Sequence, residues 1–395
     1  MKRRDFIKET LAGLERDGLR RNLQSLSPLA GGRISLEGRP FLNLSSNDYL
    51  GLSQHEELKE AAAEAARRWG VGAGASRLIT GNHQFYELLE EKIARFKRKE
   101  AAIVFSSGYM ANIGVLSSLI ERGDRVFSDE LNHASIIDGI RMSRGQLFIY
   151  RHKDADHLEY LLENSSGVGK AIIVTDTVFS MDGDVAPLER LVEIRRKHGC
   201  LLVVDEAHAT GVIGEHGRGV AEYLNLEGEI DVTVGTFSKA LGSYGAFAAG
   251  KRDLIDFFLN RARSLIYTTG LPPAVIATNI AALGLVEKYP DLRQKLRDNT
   301  HLLHKALQEM GFRLPPAETA ILPLMVGETT KVIELSEGLF QEGIIAKPIR
   351  PPTVPEGTAR LRITASAAHR REDLEAAIAA FERCGKKSGM ITGGR

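Results

Sequence analysis

Cysteine is nearly absent: the 395 residues contain two, Cys200 and Cys384. That excludes a disulfide framework and a four-thiolate zinc site, and it points to a reducing compartment, so a cytoplasmic protein is expected. An excess of charge of one sign is missing too, since 52 Lys and Arg face 51 Asp and Glu for a net +1. No general attraction to nucleic acid or to an anionic membrane follows, and neither is expected as a partner. No apolar run approaches the roughly 18 residues needed to span a membrane. Internal repeats and low-complexity tracts are also lacking.

What is present is an ordinary globular composition, 43% apolar and 26% charged, sufficient for a large core. At about 150 residues per domain the length predicts two or three domains. The opening Lys2-Arg3-Arg4 lacks the uncharged apolar region that an export signal needs behind it. Leu11, Leu14 and Leu19 instead recur at roughly helical spacing and predict an amphipathic helix lying on the protein body.

Strand-like runs occur at 101–105, 125–128, 147–150, 171–175, 201–205, 231–235 and 246–250, with helical patterns such as 109–120 and 188–198 between several of them. Runs such as Ala171-Ile172-Ile173-Val174 suit strands covered on both faces, and the alternation predicts an α/β fold with a mostly parallel sheet. From about Asp291 the texture changes to a helix carrying Leu292, Leu296, Leu303 and Leu307, then short strands and helices at 331–341 and 371–381. The expected division is an N-terminal segment 1–45, a large α/β domain 46–290 and a smaller C-terminal α+β domain 291–395.

Ligands of such sheets gather at the carboxyl ends of the strands. The 101–105 strand runs into Ser106-Ser107-Gly108-Tyr109 at a helix start, a cup suited to phosphate. The 201–205 strand ends in Asp205, with His208 close behind. The 231–235 strand leads into Thr236-Phe237-Ser238-Lys239, two hydroxyls and an amine. Each alone is an ordinary turn. Together, a phosphate cup, a Schiff-base lysine and an acid 34 residues before it (239 − 205) fit pyridoxal 5′-phosphate, whose ring nitrogen needs an acidic partner.

Asp205-Glu206-Ala207-His208 also spells the DEAH sequence of nucleic-acid-dependent ATPases. Those enzymes need a Walker A loop. The nearest candidate, 164–171, has Asn164 in place of the first glycine and Ala171 in place of the magnesium-binding hydroxyl.

Longer matches then become visible: NLSSNDYLGL at 43–52, SGYMAN at 107–112, LNHAS at 131–135, TFSKALG at 236–242 and the run 360–369. With these the sequence resembles the α-oxoamine synthases, fold-type-I pyridoxal phosphate enzymes, over nearly its whole length. The resemblance implies a PLP-dependent acyltransferase and a homodimer with sites at the subunit interface. Ile349-Arg350-Pro351-Pro352-Thr353-Val354-Pro355 resembles the branch that condenses L-alanine with a pimeloyl thioester, on CoA or on acyl carrier protein, in biotin biosynthesis. The alternative within the family is a glycine C-acetyltransferase (2-amino-3-ketobutyrate CoA ligase).

By the same resemblance, Lys239 carries the cofactor and shuttles the Cα proton, Asp205 pairs with the ring nitrogen, and His208 meets the phenolic oxygen. His133 stacks on the ring with Ser180 nearby. Gly108, Tyr109, Thr236 and Ser238 hold cofactor or phosphate, Arg362 clamps the amino acid carboxylate, and Arg21 and Thr353 touch the acyl substrate. The glycine-rich stretch 70–77 reads as a substrate-side loop with Ser76 a contact. His55, His83 and His152 read as surface or capping residues, and no metal site is expected.

Overall fold

The computed structural model describes residues 4–16 and 19–391, so the Lys2-Arg3 pair lies outside the described residues. A seven-stranded sheet forms the centre, in the spatial order Ala101–Phe105, Ala246–Gly250, Val232–Thr236, Leu201–Asp205, Ala171–Asp176, Arg125–Asp129, Gln146–Tyr150. Ala246–Gly250 pairs antiparallel with both of its neighbours, and the other strands run parallel. The α/β expectation is borne out.

Period-two alternation explains why the strands read as continuous apolar runs. Ala102, Val104, Ile173, Leu202 and Val204 enter one hydrophobic cluster, while Ala101, Ile103, Phe105, Ile172, Val174 and Val203 enter another on the opposite face. The third strand in the spatial order begins at Val232 rather than at Asp231. The Asp231 carboxylate is drawn aside by the Arg195 guanidinium (3.0 and 2.8 Å) and by the Leu202 N–H (2.8 Å).

Toward the C-terminus, Ile321–Gly327, Ala359–Thr364 and Lys347–Ile349 form a three-stranded antiparallel sheet. Arg360, Leu361 and Arg362 lie in one strand, so Leu361 and Ile363 enter the core while both arginines share the other face. Near the N-terminus, Ser27–Leu29, Arg33–Leu36 and Arg39–Asn43 form a small sheet that Ile344–Ile345 joins in parallel, tying the two ends of the chain together.

The helix Asp5–Arg16 exists, but it does not lie on the body as expected. None of its residues is buried, and Phe6, Ile7 and Leu11 are exposed. Among the described residues no helix is long and apolar enough to cross a membrane.

Candidate active site

Because the parallel strands share a direction, their carboxyl ends deliver side chains to one edge of the sheet. Asp205 and Asp176 end neighbouring strands and are paired in register. Asp205 is buried; its Oδ1 accepts the Ala207 N–H at 2.7 Å, and its Oδ2 accepts the Asn112 amide at 2.7 Å. The same Asn112 amide donates to Ser135 Oγ (2.9 Å), which lies 2.7 Å from His133 Nδ1. Asp176 accepts the His133 N–H at 2.6 Å. A continuous chain of hydrogen bonds thus joins Asp205 to His133. Burial raises the Asp176 carboxyl well above its usual range, and the nearby Asp205 charge raises it further.

Lys239 follows the Val232–Thr236 strand and lines a cavity of about 300 Å³ with Asn47, His133, Ser180, His208 and Arg362. Burial lowers its amine to about 8, although the Asp205 and Asp176 charges pull it upward. The result is an amine with a substantial neutral fraction near physiological pH, which nucleophilic attack on a carbonyl requires. His133 caps the helix Ala134–Met142; its ring is open on the cavity side, yet packing beneath it lowers its pKa, with Asp205 opposing and Lys239 assisting the shift.

His208 is held well below its ordinary pKa by burial, then by the Lys239 and Arg362 charges, so its ring is neutral. Its Nδ1 lies 2.7 Å from Tyr49 Oη. Arg362 Nη2 donates to that same oxygen at 3.4 Å, and Asn47 Oδ1 lies 3.4 Å from it. Arg362 also donates from Nε to the Ser180 carbonyl and from Nη2 to Asn47 Oδ1 (3.1 Å). The buried guanidinium is therefore fixed by the chain itself.

The hydroxyl cup is assembled from two strands. Thr236 Oγ1 and Ser238 Oγ are 2.7 Å apart, and a Cβ placed on Gly108 would lie 4.0 Å from the Thr236 Cβ. Gly108 opens the helix Gly108–Leu119, capped by Ser107, so N–H groups face the same place as the hydroxyls. A buried lysine, an acid with oriented oxygens and an anion cup form the donor set that pyridoxal phosphate requires.

Other expected residues sit apart from this cavity. Tyr109 is exposed and donates to Asp138 at 2.7 Å. Ser76 bridges to Thr269, outside the lining. Arg21 and Thr353 are exposed, though Gln24 accepts from the lining residue Lys347 at 3.1 Å. Asn47, Tyr49, Asn112, Ser135 and Asp176 also belong to the site; the first four fall within the matched segments but were assigned no role there, and Asp176 lies outside them. A larger cavity, about 760 Å³ and lined by Val212, Ile213, Leu296 and His301, contains none of the cluster.

The ATPase alternative fails on geometry. Glu206 turns away from the cavity into a buried pair with Lys97 (2.8 Å). Lys170 of the Walker-like stretch is paired with Asp124, at the opposite end of the Ala171–Asp176 strand from Asp205.

Residues 39–381 match the family model of aminotransferase class I and II. A curated relative from Thermoanaerobacter pseudethanolicus, 8-amino-7-oxononanoate synthase, is 47% identical over 98% of both chains. The chain belongs to the 8-amino-7-oxononanoate synthase family. A second member, from Geobacter sulfurreducens, is 49% identical over 96% of this chain and 98% of its own. Among solved structures, a serine palmitoyltransferase from S. paucimobilis with a bound PLP–myriocin aldimine superposes with a TM-score of 0.92 at 30% identity, covering 98% of each chain. Membership in the 8-amino-7-oxononanoate synthase family makes this chain a PLP-dependent enzyme of biotin biosynthesis with the fold-type-I architecture.

Proposed function

We propose that the chain joins L-alanine to a pimeloyl thioester, carried on CoA or acyl carrier protein, releasing carbon dioxide and free thiol and giving 8-amino-7-oxononanoate. The observation that carries this reading is the convergence of Lys239, its pKa lowered to about 8, and a prearranged Arg362 on one cavity beside Asp205. Pyridoxal phosphate, when bound, supplies the electron sink for a carbanion at the amino acid Cα.

The chain's residues do the rest. Lys239 would hold the cofactor through its amine, and that amine, when free, would take the alanine Cα proton and later return one. Asp205, its two oxygens already oriented by Asn112 and Ala207, keeps a proton on the ring nitrogen. His208 would hydrogen-bond the phenolic oxygen, and His133 would pack on the ring with Ser180 nearby. Gly108, Tyr109, Thr236 and Ser238 hold the cofactor and its phosphate. Arg362 pairs with the alanine carboxylate, a task suited to a planar guanidinium. The Cα then forms its bond to the acyl carbon as the thiolate leaves, and the resulting β-keto acid loses its carboxylate as carbon dioxide.

Arg21, Ser76 and Thr353 touch the acyl substrate in this reading. The protein acts as a cytoplasmic homodimer with sites at the subunit boundary. The organisation into 1–45, 46–290 and 291–395 is part of the same proposal.

The test is to incubate holoenzyme with alanine or glycine against a panel of acyl thioesters and to weigh the products. 8-Amino-7-oxononanoate from alanine and pimeloyl thioester is expected; turnover only of glycine with acetyl-CoA would overturn the assignment.

A further inference from the structure

His152 does not behave as the surface or capping residue that its sequence context suggests. It follows the strand Gln146–Tyr150, and its side chain is only 20% exposed. Nδ1 lies 3.0 Å from Asp129 Oδ1 and Nε2 lies 3.0 Å from Asp184 Oδ2. Carboxylates have no proton to give, so both ring nitrogens donate and the ring is an imidazolium. Its edge rests on Phe179, with centroids 4.4 Å apart.

The two carboxylates belong to different parts of the site. Asp129 ends a central strand and also accepts the N–H groups of Leu131 (2.9 Å) and Lys153 (2.8 Å). Asp184 belongs to the turn 177–185, which is closed by Phe179 N–H to Asp184 O (3.0 Å), Gly183 N–H to Phe179 O (2.8 Å) and the Val178–Val185 bridge. The tip of that turn presents the Ser180 carbonyl to Arg362 and the Asp182 carboxylate to Arg360. His152 thus ties the sheet to the turn that carries the Ser180 carbonyl; the other side of that turn is held by the Thr319 hydroxyl on the Gly183 carbonyl (2.8 Å) and by Glu318 on the Val185 N–H (2.9 Å).

We infer that His152 is a positioning residue for amino acid recognition: its imidazolium, clamped between Asp129 and Asp184, fixes the 177–185 turn and through Ser180 the orientation of Arg362. This rests on the proposed role of Arg362 as the carboxylate clamp. The groups facing the ring are Asp129 and Glu130 from the sheet side, Asp184 from the turn, and Lys153, whose ammonium lies 3.1 Å from Asp184. Burial alone would lower the His152 pKa, but the hydrogen bonds and charges of the two aspartates outweigh it and push it up to about 9. The clamp is therefore complete below the ordinary histidine pKa and is lost as pH rises through about 9.

The test compares His152→Gln, Asp184→Asn and Arg362→Lys holoenzymes near neutral pH, titrating alanine by the absorbance of the bound cofactor. His152→Gln and Asp184→Asn are expected to weaken alanine about tenfold while turnover at saturating alanine stays within about twofold. Arg362→Lys, which removes the planar guanidinium itself, is expected to weaken alanine with His152 intact. Unchanged alanine affinity in His152→Gln and Asp184→Asn, with a loss in Arg362→Lys, overturns the inference and leaves the clamp intact. Unchanged affinity in Arg362→Lys overturns the clamp itself. Independently of cofactor and of variant folding, nitrogen NMR of the wild-type imidazoles should show His152 doubly protonated up to about pH 9. A ring already singly protonated at neutral pH overturns the inference.

Discussion

Replacing Asp205 with Asn perturbs the site in two separable ways. Both carboxylate oxygens accept an N–H, from Ala207 and from Asn112, each at 2.7 Å. An asparagine offers one acceptor oxygen, and its amide nitrogen must then face a donor. One buried hydrogen bond becomes a donor–donor contact, costing about 1–3 kcal/mol of stability. The second effect is electrostatic. A carboxylate within hydrogen-bonding reach shifts a cation's pKa by roughly 1–3 units, about 1.4–4 kcal/mol, so the protonated ring would lose ten- to thousand-fold in population. The lost charge also lets the Lys239 amine fall below its value of about 8, because Asp205 was pulling it upward. The assay is exchange of the alanine Cα proton in deuterated water, followed by NMR without acyl substrate. Asp205→Asn should retain cofactor and lower the exchange rate by at least about tenfold. Wild-type exchange in the variant would refute the assignment of Asp205 to the ring nitrogen.

Lys97→Met should destabilise the protein by about 3–5 kcal/mol, measured by denaturant unfolding, because it removes the cation 2.8 Å from the buried Glu206 carboxylate. A cost below 1 kcal/mol would show that the pair is solvated. His369 is buried, accepts the Ser366 N–H at Nδ1 and contacts the Asn43 carbonyl through Nε2; burial lowers its pKa from 6.5 to about 4. The unfolded chain therefore binds this proton first as the solution is acidified. Roughly 3 kcal/mol of stability, complete above pH 6.5, should drain away as pH falls toward 4. His369→Gln should flatten that acid limb, and an identical limb in the variant would contradict the attribution.

The central sheet was legible because all of its strands but the edge strand Gln146–Tyr150 bury both faces, leaving apolar runs that few surface constraints interrupt. The same period of two, in the strand Ala359–Thr364, places Arg360 and Arg362 together opposite Leu361. Asp205 and Lys239 stood out by ending such runs with charge. Interactions that close over long sequence distances were not legible. His152 meets Asp129 and Asp184, 23 and 32 residues away, and nothing local distinguishes it from a capping histidine. Asn112 faces Asp205 across 93 residues. The N-terminal helix shows the converse failure: Leu11 and Leu14 lie in it but Leu19 falls beyond its end at Arg16, and leucine spacing cannot specify which surface, if any in the same chain, will cover it.

The most direct test of the account is to reduce the holoenzyme with borohydride, digest it and locate the pyridoxyl group by mass spectrometry. Two lysines line the cavity, Lys239 and Lys347. The account predicts the label on Lys239 alone; a label on Lys347, or on neither, would contradict it.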